Sequence, residues 1–183
     1  VEFVKSRGFD LDDYNWQWSP TKDHSMNKRV IIPYTWQGNT IGYTARSSNP
    51  NSKIKYFNQV DSDYVFNIDE QDKQRQFVIV TEGPLDAIAV GGVAVLTNEV
   101  SENKAEIIES LGKQVIVVPD QDKSGKRLVD QAVQYGWSVS FPQWQTDIKD
   151  CADAHQRYGK LYTLRSILDE TESSALKIKL RSR

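Results

Sequence analysis

Phe77-Val78-Ile79-Val80-Thr81-Glu82-Gly83-Pro84-Leu85-Asp86 is the stretch whose reading decides the fold. Its first four residues form a short apolar run bounded by turn residues, which reads as a strand buried on both faces. Pro84 suits the first turn of a helix, where its missing N–H costs nothing, and the helix is predicted to run to about Val90. Glu82 then lies at the carboxyl end of a strand, and Asp86 lies four residues on, near the first helical turn.

The same grammar recurs downstream. Val115-Ile116-Val117-Val118 is a second apolar run, and Pro119-Asp120-Gln121-Asp122 ends it. A helix follows, predicted over 124–135 and stopped by Gly136. Between the two runs, Val93–Leu96 reads as a short strand, and Ser101 as the cap of a helix ending at Gly112. Trp137–Phe141 is the last strand, and an amphipathic helix is predicted over Leu161–Leu168. Strands alternating with helices imply a mostly parallel α/β sheet with helices on both faces. Such sheets place ligands at the carboxyl edges of their strands.

Upstream, the pattern is different. Arg29–Tyr34 and Thr40–Ala45 flank the turn Gln37-Gly38-Asn39, and Lys53–Phe57 alternates polar and apolar residues. These are the signatures of antiparallel strands. Residues 1–20 are expected to form a small helix or capping segment. The predicted organisation is a basic α+β subdomain over 1–75, a catalytic α/β domain over 76–153, and a helix with a basic tail over 154–183. The tail from Thr171 is polar and is expected to be disordered.

The composition, 38% hydrophobic and 26% charged over 183 residues, is that of a globular protein. No apolar run approaches the roughly 20 residues needed to cross a bilayer, so no membrane partner is expected. Cys151 is the single cysteine, which excludes an internal disulfide and a cysteine zinc ribbon within this sequence. A reducing, cytoplasmic location suits it. The first residue is Val rather than Met, which leads to the expectation of an excised or processed piece.

Charge is unevenly distributed behind a net value of −2. Residues 21–60 carry six Lys/Arg and one acid, whereas residues 61–72 carry five acids and no base. A basic segment beside acidic strand ends fits a polyanion partner, although charge runs of this size are also common on solvated faces.

Glu82, Asp120 and Asp122 brought together at one sheet edge would repel unless a cation neutralised them. Oxygen donors with no cysteine or histidine beside them favour Mg²⁺ or Mn²⁺. Asp147, Lys149, Asp150 and Asp153 form a third polar cluster after the last strand, predicted to reach the same edge. Taken singly, a Glu-Gly after a strand reads as a turn and an Asp-x-Asp as a cap. In this order on alternating strands they are far more specific. Gly125 would let a phosphate approach the following helix, flanked by Lys123, Lys126 and Arg127.

Glu82-Gly83-Pro84-Leu85-Asp86 with Asp120-Gln121-Asp122-Lys123-Ser124-Gly125 resembles the Toprim domain of primases, topoisomerases, some nucleases and recombination mediators. The upstream blocks Arg29–Tyr34, Gly42–Arg46 and Lys55-Tyr56-Phe57-Asn58 resemble the RNA polymerase domain of bacterial- and phage-type replicative primases. So does Asp147–Asp153. The resemblance implies a nucleotidyltransferase core that copies single-stranded DNA into RNA primers from ribonucleoside triphosphates, with a replicative helicase as partner. It implies that Glu82, Asp120 and Asp122 are catalytic, and that Asp86 and Asp150 join them around Mg²⁺ or Mn²⁺. It also implies that Arg29, Arg46, Lys55, Asn58, Lys123, Gly125 and Lys126 meet nucleic acid or nucleotide. A Toprim nuclease and a non-catalytic nucleic-acid-binding module are the alternatives. The basic β segment disfavours the first and the intact acids disfavour the second.

Overall fold

The structure, a computed structural model, describes residues 1–21, 23, 25–49, 51–121 and 125–182. The chain divides into two compact units, Val1–Tyr64 and Val65–Arg183.

In the first unit, helix α1 (Glu2–Ser6) and a 3-10 turn (Leu11–Asp13) precede strands β1 (Gln17–Trp18), β2 (Arg29–Trp36), β3 (Asn39–Ser47) and β4 (Tyr56–Gln59). The four strands form one antiparallel sheet in chain order. Gln37 and Gly38 both have positive φ, 49° and 76°, and join β2 to β3 as a two-residue hairpin loop. That conformation matches the twist of the flanking strands, and glycine adopts it without steric cost. The core of this unit is aromatic. Tyr34 is fully buried and stacks on Tyr64 with ring centroids 5.3 Å apart. The Tyr64 hydroxyl donates to the Thr35 carbonyl at 2.9 Å.

The second unit holds β5 (Phe77–Thr81), α2 (Pro84–Val90), β6 (Val93–Ala94), α3 (Glu102–Glu109), β7 (Gln114–Val117), α4 (Gly125–Tyr135) and β8 (Ser138–Ser140). It continues with α5 (Cys151–Tyr158), α6 (Lys160–Asp169), β9 (Thr171–Glu172) and α7 (Ala175–Arg181). The sheet order is β6-β5-β7-β8-β9, parallel except for β9. Val78, Ile79, Val80, Val115, Ile116 and Val117 are buried, as their unbroken apolar runs require. Helix α2 packs with α5 and α6, and α4 packs with α7. Residues 65–75 belong to this unit: Phe66 bridges Ala94, and Arg75 donates to the Gly91 carbonyl at 2.9 Å.

The chain leaves β5 toward β6 on one side and then crosses to β7 on the other. The ends of β5 and β7 therefore flank the point where the order of connection reverses, the crevice in which open α/β sheets bind ligands. Two segments differ from expectation. Strand β6 stops at Ala94 because Leu96 turns into a left-handed conformation at φ 62°. The tail from Thr171 is not disordered: β9 pairs antiparallel with β8, Ile178 is buried, and Arg181 pairs with Glu170 at 2.6 Å.

Candidate active site

Glu82 and Asp86 reach the crevice from β5 and α2. After the last paired residue of β5, Gly83 caps α2 and Pro84 occupies its first turn. A Cβ at Gly83 would sit 2.8 Å from Asp86 Oδ2, so a larger residue there would displace the Asp86 carboxyl. Asp86 is buried, and its Oδ1 accepts the Ala152 N–H at 2.9 Å. Burial first, then the charges of Asp150 and Asp120, hold its carboxyl well above the usual carboxylate range. Its neutral form shares a hydrogen bond with Asp150.

Asp150 is placed by capping α5: its Oδ1 accepts the Asp153 N–H at 2.7 Å. Asp120 is delivered by β7, and the neighbouring Gln121 N–H donates to the Lys149 carbonyl at 2.8 Å, tying the two acidic loops together. A second group reports the same convergence. The buried Cys151 thiol is pushed up by desolvation and by the charges of Asp86, Asp150 and Asp120. The structure thus brings Asp86, Asp120 and Asp150 to one place, with Glu82 at the adjoining strand end. Asp122 and Lys123 lie outside the described residues. Among the described residues, no group of three or more acidic, histidine or cysteine side chains is arranged to hold a metal ion.

The remaining acids of the third cluster part from Asp150. Asp147 and Asp153 line an open pocket with Ile148, Gln156 and Arg157. Beside Asp120 lies a cavity of about 390 Å³, bordered by Gly125, Lys126, Phe141, Trp144 and Arg181. Gly125 is there for packing: a Cβ would meet the Asp120 carbonyl oxygen at 2.5 Å. The missing side chain thus lets α4 lie against the loop that carries Asp120. Lys126 is exposed at the first turn of α4.

The basic residues of the first unit divide into two kinds. Arg46 and Lys55 line a pocket of about 350 Å³ with Arg7, Ser47, Ser48 and Asn49. Arg46 lies over the Tyr56 ring at 4.1 Å, and both Tyr56 and Phe57 are exposed on the edge strand β4. Asn58 is exposed and its Oδ1 accepts the Thr44 hydroxyl. Arg29 is different. It is only 4% exposed, and its guanidinium donates to the carbonyls of Ser25 (2.6 Å), Ile54 (2.9 Å) and Ala45 (3.0 Å), and more weakly to that of Lys55 (3.4 Å). It clamps strands together rather than offering a cation to a phosphate. Arg7 is a pocket residue that sequence pattern does not single out, because a lone arginine in a segment expected to be a small helix or cap carries no phosphate-binding signal of its own.

No family model matches the chain. A DNA primase of Mycoplasma genitalium is 24% identical over 177 residues, covering 85% of this chain and 28% of that protein. The chain thus spans little more than a quarter of the curated relative's length. The zinc-binding and RNA polymerase domains of the Aquifex aeolicus primase superpose with a TM-score of 0.74 at 21% identity, over 99% of this chain and 59% of that one. A DnaG primase catalytic domain bound to single-stranded DNA gives 0.76 at 16% identity, over 98% and 74%. No described helix is long and apolar enough to cross a membrane. Two sheets, one antiparallel and one mostly parallel with acidic residues at its switch point, thus make up the fold of the DnaG-type DNA primase catalytic core.

Proposed function

We propose that this chain is the catalytic core of a DNA primase, joining ribonucleoside triphosphates into short RNA primers on single-stranded DNA. The observation that carries the reading is the convergence of Asp120 and Asp150 on the buried Asp86 at the switch point of the parallel sheet. Three carboxylates crowded in this way are a poor arrangement for stability and a good one for a cation. The donors are all oxygen, which suits Mg²⁺ or Mn²⁺. Mg²⁺ is held by few protein carboxylates and keeps water and substrate phosphate oxygens, so an open set of ligands fits it. Among the described residues no three of these acids are arranged to hold a metal ion, so Asp122 would have to complete the set with Asp86, Asp120 and Asp150, and Glu82 would extend the acidic edge. A divalent cation there would supply charge stabilisation to the phosphoryl oxygens.

The remaining work falls to the chain. Glu82 stands at the reacting phosphoryl group as ligand or acid–base. The Arg7–Arg46–Lys55 pocket takes phosphates, with Tyr56 and Phe57 offering ring faces to unpaired bases. Single-stranded DNA is the ligand of a structure with the same fold, which supports it as the template here. A replicative helicase would be the partner in a replication complex. The test is incubation with labelled ribonucleotides, single-stranded templates and Mg²⁺ or Mn²⁺, with Asp120→Ala as control. Template-dependent RNA oligomers that vanish in the variant support the reading. Template cleavage without incorporation would replace synthesis by nuclease chemistry.

A further inference from the structure

We propose that Gln131 is a positioning residue for Glu82, acting through the 95–100 loop; the inference rests on the nucleotidyl-transfer reading of the acidic site. Glu82 lies one residue beyond the end of β5, so the strand ladder no longer fixes it. Its carbonyl is instead caught by the Leu96 N–H at 2.9 Å, just as the Thr81 carbonyl is caught by the Val95 N–H at 3.1 Å. To present that N–H, Leu96 adopts φ 62°, a conformation that clashes with an L side chain and that leucine seldom enters unaided. Something must hold the loop in that shape.

Side chains from two helices do so; Arg127 pairs with Glu99 and the Tyr135 hydroxyl reaches the Val100 carbonyl at 3.5 Å, but the two closest backbone anchors are Lys104 and Gln131. The buried Lys104 of α3 donates its ammonium to the Val95 carbonyl at 2.6 Å. Gln131 of α4 reads Val100 at both backbone groups: its Oε1 accepts the Val100 N–H at 2.8 Å, and its Nε2 donates to the Val100 carbonyl at 2.8 Å. The side-chain amide thus replaces a missing strand partner. Val100 is only 2% exposed, so water is poorly placed to take over either bond. Within the loop, the Thr97 hydroxyl donates toward the Glu99 carbonyl at 2.6 Å, stiffening the span between the two anchors.

The placement of Gln131 gives the pair its meaning. Helix α4 begins at Gly125, which packs against the Asp120 backbone. The Gln131–Val100 pair therefore ties the loop behind Glu82 to the helix behind Asp120. The β5–β7 ladder, which ends with the Val118 N–H on the Val80 carbonyl, sets the register of the two strands; the Gln131–Val100 pair adds a second tie beyond it that touches neither carboxylate. A reacting constellation needs its members held to about half an ångström, and a misplacement of about 1 Å can cost on the order of 10²-fold in rate.

The test compares the full chain with Gln131→Ala and Gln131→Glu in two assays. In ribonucleotide incorporation, Gln131→Ala should lower kcat by about tenfold to a hundredfold while KM for nucleotide and affinity for single-stranded DNA stay within about twofold. Gln131→Glu keeps an acceptor for the Val100 N–H but sets a carboxylate oxygen against the Val100 carbonyl, so it should stay close to Gln131→Ala in kcat. In amide hydrogen exchange below the unfolding transition, residues 82–86 and 96–100 should exchange at least about tenfold faster in Gln131→Ala, with β7 and β8 unchanged. Unchanged protection over 82–86, or a loss spread evenly over the whole second unit, overturns the positioning role. An unchanged kcat does the same. A wild-type chain that incorporates no nucleotide defeats the primase reading instead, and the exchange measurement still decides whether Gln131 holds Glu82.

Discussion

Replacing Arg29 by alanine distinguishes two roles for a cation that sequence alone assigns to a polyanion. Three of its hydrogen bonds are at or below 3.0 Å, to the carbonyls of Ser25, Ile54 and Ala45; Arg29 itself is only 4% exposed, the Ala45 bond is buried and the other two are part-buried. A hydrogen bond from a charged donor contributes about 1.5–3 kcal/mol, and a buried carbonyl left without a donor costs about 1–3 kcal/mol. The guanidinium also lies over the Phe57 ring at 5.2 Å, worth about 0.5–1 kcal/mol. The desolvation that Arg29 suffers on folding offsets part of this gain. About 4 kcal/mol of net destabilisation is the outcome, among the largest for a single substitution. For a unit of this size each kcal/mol moves the midpoint by about 4–8 °C, so Arg29→Ala should leave the first unit unfolded or nearly so at 37 °C. Arg29→Lys keeps the charge but cannot reach carbonyls on β3 and in the segment before β4 at once, and should recover less than half. Denaturant unfolding followed by Trp fluorescence checks both, since Trp16, Trp18 and Trp36 report on this unit. If Arg29→Ala unfolds as the wild type does and instead loses affinity for single-stranded DNA, the clamp is wrong and the residue meets phosphate.

Other substitutions separate binding from chemistry. Arg46→Ala and Lys55→Ala should leave the unfolding midpoint nearly unchanged, and each should reduce the salt slope of single-strand binding by about 0.7, the value for one lost phosphate contact. Titrations at several salt concentrations measure it, and an unchanged slope removes that residue from the interface. Asp120→Ala should cut nucleotide incorporation by about 10²–10³-fold at unchanged DNA affinity, as loss of a group that stabilises transferring charge does. Asp86→Asn should do the opposite to stability. The amide keeps an oxygen for the Ala152 N–H and removes a carboxyl whose ionisation burial, Asp150 and Asp120 all oppose. In metal-free buffer at neutral pH its midpoint should rise by a few degrees, for about 1 kcal/mol gained, while primer synthesis falls. Added Mg²⁺ should then raise the wild-type midpoint more than the variant's, and equal shifts would remove Asp86 from the cation site.

What the sequence made legible was the part where local pattern and tertiary fate coincide. Phe77–Val80 and Val115–Val118 are continuous apolar runs, and their short length and flanking turn residues mark them as buried strands, which puts the acids that end them at the sheet's edge. Asp150 was placed in the right cluster by sequence order, but the reason it points there is local. It caps α5, and the Asp150-x-x-Asp153 spacing is the local signal for that helix start. Arg29 misled because charge was counted without burial. At the start of β2 it lies beside the Ala45 and Ile54 carbonyls, whose positions depend on β3 and on the segment before β4, and no window around residue 29 contains them.

The loop behind Glu82 marks where sequence reading ends for a different reason. Leu96, Lys104 and Gln131 each look ordinary in their own windows: a hydrophobe after a strand, a lysine in an amphipathic helix, and an amide on a helix face. Their role exists only as a chain of contacts, from Gln131 to Val100, through the loop to Leu96, and from its N–H to Glu82. Each link spends a polar group on backbone rather than on substrate. In a fold whose acidic centre repels itself when ionised, rigidity has to come from elsewhere: the hydrogen bond between Asp86 and Asp150 lasts only while Asp86 keeps its proton, so the loop behind Glu82 is held instead by the Gln131 amide and the buried Lys104 ammonium.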